Sequence, residues 1–391
     1  MERVNVYLRG IGGGYDLWYR MELKKSDREI VVGPVAKLCH STYGTAGNWT
    51  VIGSNIYYAG GFLTDRWRIN PYKELIKHNT EEQVPVDYWQ TESTLNLSRM
   101  SPVVAAVAVG KKRKLCVLGG DHIYIDNFEE ILRGKEETDD PLRNKGGEIY
   151  DIEGKYWNLV DTELESFPPD YKVASVVEKD GDEPTEIVFY CLAKGAMMFF
   201  NAITRKISKN ETVEEFALWH ISPNSSPDTS PDSSPATSPP RGQCPPQFPS
   251  PDANLRLLRM VTDTVPAVFT NNTFYWFTLD MYLYAYDVKA RRWLTSQCLY
   301  DQFLAQCPKL QYNTRIAVTP ILVGLPQDGK FVAVLPQESP EQLIMACFKV
   351  EMQVNSLNVL TELVQLVYLV EESSLLDVFW FYDGKAMSVE G

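Results

Sequence analysis

Between Asn96 and Val160 the chain alternates short apolar runs with compact polar breaks. Pro102 to Val109 contains valine, alanine and one proline, with no polar side chain. A run of that length bounded by turn signals predicts a strand buried on both faces. Gly110 and the four cations Lys111, Lys112, Arg113 and Lys114 follow, and they read as a solvated hairpin tip. Leu115 to Leu118 predicts a second strand, ended by Gly119 and Gly120. A glycine pair there permits positive φ and close backbone approach. After an insert, Glu148 to Ile152 predicts a third strand, Glu153-Gly154-Lys155 a turn, and Tyr156 to Val160 a fourth strand. Four antiparallel strands with two packed faces make one blade of a β-propeller.

Two glycines after an apolar strand, then Tyr150-Asp151 and Trp157 six residues after the Asp, resemble the kelch repeat. In that family the Tyr and Trp pack between neighbouring blades, so the resemblance implies that role for Tyr150 and Trp157. The long insert between the glycines and the Tyr departs from the family pattern.

Imperfect copies follow the same order. Trp49 to Ile52 and Asn55 to Ala59 flank Gly53-Ser54 and lead to Gly60-Gly61. Arg66 to Pro71 then reads as the third strand, Asp87-Tyr88-Trp89 as the start of the fourth, and Glu74 to Pro85 as an insert. Tyr171 to Lys206 is a copy without its glycines, with Asn201 at the expected Asp. Val265 to Phe269 and Phe274 to Phe277 form a hairpin across Asn271-Asn272, residues able to take positive φ. Tyr286, Asp287 and Trp293 repeat the spacing of Tyr150, Asp151 and Trp157. This segment also resembles the kelch-like regions of plant F-box proteins, although the residues before the first blade are too few for an F-box. Tyr312 to Val350 is a further copy that lacks the glycines and the Trp. In the sixth, residues 360–391 join residues 3–35, where Gly12-Gly13-Gly14 precede Tyr15-Asp16 and Trp18. LVQLVYLV, near the C-terminal end, favours a strand by its β-branched and aromatic content. The expectation is an all-β, single-domain, kelch-type propeller of six four-stranded blades over residues 1–391, closed by its two ends.

Residues 222–251 break the pattern. Ser-Pro recurs at Ser222, Ser226, Ser230, Ser234 and Ser238. Proline removes backbone donors, and the apolar content is too low to offset ordering, so a disordered insertion between blades is expected. The segment is either a bare spacer or a substrate for proline-directed phosphorylation, close to −2 per site.

The chain has 391 residues and a net charge of −13. The acidity disfavours general nucleic-acid binding, which needs clustered cations. Seven cysteines are scattered without a CxxC. They read as free thiols of a reducing compartment. With no apolar signal core and no membrane-length apolar run, the expectation is a cytoplasmic or nuclear monomer without a membrane segment. The sequons at Asn48, Asn96, Asn210, Asn224 and Asn271 then carry no weight.

No HExxH, no GxSxG and no metal-ligand spacing appears among the four histidines, and the N-terminal glycine run lacks phosphate-loop spacing. No cofactor or metal is expected. The reading is a protein-interaction scaffold or substrate adaptor. The alternative is a propeller enzyme of oxidase, epimerase or specifier type, with its site at the channel mouth. In kelch propellers the loops after the Gly-Gly strand share one rim with those that lead into the next blade. Candidate partner contacts are therefore Arg66 and Trp67 in one insert, and Asp121, His122, Tyr124, Asp126 and Phe128 in the other, which otherwise packs on its own blade. Rim loops held by rigid sheets are where binding residues usually sit.

Overall fold

A computed structural model describes residues 4–12, 14–23, 29–44, 47–65, 68–99, 101–109, 112–120, 146–160, 172–177, 185–191, 196–212, 267–278, 281–309, 320–325, 329–337, 342–370 and 380–388. The N-terminal region supplies β1 (Val4–Gly12), β2 (Tyr15–Glu22), β3 (Glu29–Val32), β4 (Pro34–Cys39) and one helical turn, α1 (His40–Tyr43). Blade II follows with β5 (Asn48–Ile52), β6 (Asn55–Ala59), a side hairpin of β7 (Phe62–Asp65) and β8 (Arg68–Pro71), then β9 (Glu74–Asn79) and β10 (Gln90–Thr94). Blade III comprises β11 (Val103–Val109), β12 (Lys112–Leu118), β13 (Gly147–Asp151) and β14 (Tyr156–Val160). Blade IV comprises β15 (Lys172–Val177), β16 (Glu186–Cys191), β17 (Ala196–Asn201) and β18 (Lys206–Thr212). Blade V comprises β19 (Val268–Thr270), β20 (Thr273–Phe277), β21 (Leu283–Asp287) and β22 (Arg292–Thr295). Helix α2 (Tyr300–Gln306) leads to blade VI: β23 (Ile321–Gly324), β24 (Lys330–Pro336), β25 (Gln342–Met352) and β26 (Leu357–Leu369). Last comes β27 (Trp380–Ser388).

Six antiparallel four-stranded sheets form a six-bladed propeller. The closing sheet, blade I, has the order β27-β1-β2-β4, so the final strand is the innermost one beside three N-terminal strands. The inner strands β27, β5, β11, β15, β19 and β23 each touch the next, and the circuit returns to β27. The last sheet carries a fifth strand, because β3 pairs parallel with β26. The N-terminal region therefore ties two blades at once.

The core lies between the blades rather than at one centre. Tyr7 and Trp18 of blade I pack with Trp49, Ile56 and Tyr58 of blade II. Tyr57 and Leu75 meet Leu115 and Tyr150 between blades II and III. Equivalent clusters fill the remaining four interfaces. Fully burying a side chain the size of Phe contributes about 1.5–3 kcal/mol, so each blade depends on both neighbours. The Tyr and Trp of the repeat serve these seams. Tyr150 and Trp157 are cross-strand partners with ring centroids 4.8 Å apart, and Tyr286 and Trp293 match them at 5.1 Å. Trp157 Nε1 donates to Ser93 Oγ of blade II at 2.9 Å. In the turn after the third strand, Asp151 Oδ1 accepts from the Gly154 amide and Asp287 Oδ1 from the Ala290 amide. Asn201 Oδ1 accepts from the Ile203 and Thr204 amides, so the Asn does the work of the Asp.

Five expectations are corrected. The third strand of blade II is β9, inside the stretch read as an insert, whereas Arg68–Pro71 belongs to the side hairpin. Its polar residues hid it: His78 is buried because its Nδ1 bonds the Tyr88 carbonyl at 2.8 Å. The fourth strand starts at Gln90, just after Trp89. The basic run is largely strand, since Val109 pairs with Lys112 and Lys114 Nζ reaches Asp151 at 3.3 Å. Leu357–Leu369 completes blade VI, and only β27 from the C-terminal region enters the closing sheet. Cys39 and Cys116 are free thiols, but Cys298 is disulfide-bonded, against the expectation of free thiols throughout. Residues 222–251 lie outside the described residues.

Glu92 of β10 clamps blade II to blade III. It accepts from Lys155 and, at 3.2 Å, from the Tyr150 hydroxyl, and Lys77 Nζ lies 2.9 Å away. Burial acts to raise this carboxyl, but the bonds from Lys155 and Lys77 outweigh it and hold it below its ordinary value of 4.5. A depressed folded value gives stability that is complete above the unfolded value and is lost as pH falls through the folded one. Glu92→Gln should therefore be destabilised at neutral pH, with the gap to the parent closing as pH drops below 4.5. Urea unfolding across a pH series checks this, and a gap that stays constant into acid would contradict the clamp.

Candidate functional site: the loop-bearing face

Strand direction alternates within every blade, so the connections sort onto two faces. Second-to-third-strand connections, and those that lead into the next blade, leave at one face. First-to-second and third-to-fourth connections leave at the other. The first face holds the long segments: residues 60–72 with the β7–β8 hairpin, 119–146, 213–266 and 296–320. The second holds shorter connections, among them the tight turns at Gly53-Ser54, Asn271-Asn272 and residues 152–155, and its longest are residues 80–89 between β9 and β10 and the stretch with β3 between β2 and β4.

The floor of the loop-bearing face is built from buried charge. Arg9 and Asp16 project from the β1–β2 hairpin and are 7% and 0% exposed. Arg9 Nη2 donates to Asp16 Oδ2 at 2.6 Å, and His40 Nε2 lies 3.0 Å from Asp16 Oδ1. Arg9 Nη1 also reaches the Gly47 carbonyl at 3.3 Å, and its guanidinium lies over the Trp18 and Tyr58 rings at 5.8 and 5.6 Å. The Gly47 amide donates to Tyr58 Oη at 3.0 Å, and burial pushes that phenol up to about 12. One carboxylate thus ties the blade I hairpin to the chain that enters blade II. Buried ion pairs hold only when hydrogen bonds satisfy the remaining lone pairs and protons, and here they fix the path of the loop.

Blades II and III repeat the device with other residues. Glu148 is fully buried and accepts from the Asn96 amide, Asn96 Nδ2 and the Leu97 amide, each at 2.8 Å. Arg99 is 1% exposed and donates from Nη1 to the Gly119 carbonyl at 2.8 Å. The Arg99 carbonyl accepts from the Gly61 amide at 2.7 Å. The glycine pairs sit where this requires: Gly60 and Gly61 have φ of 76° and 99°, Gly119 and Gly120 of 60° and 81°. A Cβ on Gly60 would meet the Arg99 carbonyl oxygen at 2.7 Å. Arg9, His40, Arg99 and Glu148 were missed in the sequence. Arg9 and Glu148 signal themselves only as a charge inside an apolar strand, in VYLRG and GEIYD, and His40 and Arg99 lie outside the strands.

The expected contact residues fall on segments anchored here. Asp121, His122, Tyr124, Asp126 and Phe128 belong to a connection whose base is closed by the Gly119 amide donating to the Gly146 carbonyl at 2.9 Å, but they lie outside the described residues. Arg66 and Trp67, between β7 and β8, also lie outside them, as do Ser222, Ser226, Ser230, Ser234 and Ser238. The base of the hairpin is held by the Tyr72 amide donating to the Gly61 carbonyl at 2.9 Å, and Tyr43 packs edge-on against Tyr72 at 6.3 Å. Among the described residues no cluster of His, Cys, Asp and Glu could hold a metal ion. No described helix is long and apolar enough to cross a membrane.

No family model matches the chain, and no curated protein does. Solved structures align over nearly the whole length at low similarity. A crystal structure of a nidogen/laminin complex matches with a TM-score of 0.42 and 7% identity, covering 99% of this chain and 100% of the other. Apo AztD from Citrobacter koseri matches with a TM-score of 0.35 and 9% identity, covering 100% of this chain and 99% of the other. At those scores neither carries an argument about function.

Asp16→Asn removes the charge that balances Arg9 and should cost about 3–5 kcal/mol. Replacing Arg9 by Met and Asp16 by Leu together should cost clearly less. Denaturant unfolding of the three proteins checks the order, and a double variant as unstable as Asp16→Asn would contradict it.

Proposed function

We propose that the protein is a kelch-type scaffold that binds a partner protein through its loop-bearing face. The observation that carries the reading is the sorting of the long connections onto one face above a floor of pinned charge. A rigid floor holds the ends of the connections in place, the usual arrangement of loop-borne recognition sites. The kelch assignment is supported by the shared positions of Tyr150, Asp151 and Trp157 with Tyr286, Asp287 and Trp293. The Asp121–Phe128 stretch supplies aromatic and charged contacts, as do Arg66 and Trp67. Residues 222–251 belong to a connection of the same face, where phosphorylation of the Ser-Pro serines would add charge next to a bound partner. We place this activity in the cytoplasm or nucleus.

The test replaces residues 121–145 by a short Gly-Ser bridge between Gly120 and Gly146. Proteins retained by the intact chain and by the shortened one are then compared by affinity capture and mass spectrometry. Loss of a saturable partner, with an unchanged unfolding temperature, is expected. An unchanged set of partners would remove this insert from the site.

A further inference from the structure

The short-turn face has its own pattern. Among the described residues, Tyr88, Tyr156, Ile203, Met352 and Val354 are exposed large apolar side chains at third-to-fourth-strand connections, whereas Val31, Leu360 and Val370 are exposed on or beside β3 and β26. Tyr156, Ile203 and Val354 are 51%, 45% and 76% exposed. Four residues after the Asp or Asn that caps the turn, blades III, IV and V carry Lys155, Arg205 and Arg291. Their φ values are 57°, 57° and 50°. That left-handed conformation favours glycine or asparagine, yet three successive blades place a long cation there. Strain repeated at equivalent positions points to use.

The turns of four successive blades follow one another on this face, and two neighbouring pairs are tied. Arg205 Nη2 donates to Asn158 Oδ1 of blade III at 3.2 Å, and Arg292 Nη1 donates to the Val354 carbonyl of blade VI. The blade IV turn has Arg205 and Lys206 with no acid, and the blade V turn has Lys289, Arg291 and Arg292 against Asp287. On a chain of net charge −13 this is a local reversal of sign. Packed sheets stand about 10 Å apart, so four turns span roughly 30 Å, the reach of about ten extended residues.

We propose that the arc from Tyr156 to Val354 is a second docking surface, for an acidic partner segment with apolar residues at intervals. Arg205, Lys289 and Arg291 meet its carboxylates, and Tyr156, Ile203 and Val354 take its apolar side chains. In a symmetric pair of copies the arc would face its own like charge, so its positive charge selects an acidic segment over a two-fold contact through the arc.

The probe is a fluorescein-labelled peptide of about 12 residues alternating Glu and Leu, followed by anisotropy. Saturable binding to the intact chain is expected, unchanged when residues 121–145 are replaced. Arg291→Gly, which relieves the backbone, should weaken binding about fivefold while the unfolding temperature holds or rises. Lys289→Glu and Ile203→Ser should also weaken it. No binding by the intact chain, undiminished binding by all three variants, or equal binding of a Glu-Gly peptide would overturn the proposal.

Discussion

Each blade buries both faces of its sheet against its neighbours, so none has a core of its own. This constraint governs the rest of the molecule. A row of such sheets would leave two apolar faces open at its ends, and only a closed circle removes them. Here β27 performs the closure by pairing antiparallel with β1. The parallel β3–β26 pair adds a second tie across the same seam. Because the ends of the chain meet in one sheet, the ring resists opening as a unit rather than blade by blade.

Closure also explains the division of labour between the faces. Each inner strand contacts those of both neighbouring blades, and the largest differences in length between blades fall in the connections. On one face these are long, and their bases are pinned by buried groups: Asp16 between Arg9 and His40, Glu148 under three donors, Arg99 against Gly119. Such charges are costly to bury, and each is met by hydrogen bonds within its own network. On the other face the third-to-fourth-strand turns of blades III, IV and V are short and capped by Asp151, Asn201 and Asp287. Their left-handed cations mark the departure from least-strain geometry.

Much of the fold was legible because a blade is a local object. In blade III each strand pairs with the next, and the run VVAAVAV, the glycine pair and the Tyr150-to-Trp157 spacing lie within one stretch of chain. The hairpin at Asn271-Asn272 was legible for the same reason, and both residues take positive φ. What sequence could not show depends on distant partners. β9 looks polar until His78 meets the Tyr88 carbonyl and Glu92 meets Lys77. Lys114 looks like a turn residue until it is set opposite Asp151. The partner of β3 lies near the other end of the chain, so no local pattern announces it. The charged floor is hidden likewise, since Arg9 and Asp16 acquire a role only when Gly47 and Tyr58 of the next blade arrive.

Closure through β27 can be tested directly with paired cysteines. Asn5 and Met387 are register partners across the β1–β27 seam. With both replaced by cysteine, mild oxidation of the folded protein should give a disulfide-linked peptide pair joining the two ends of the chain, seen by mass spectrometry after non-reducing digestion. That link should be absent when oxidation is done in denaturant. Failure of the folded protein to form it would mean that the final strand does not close the ring.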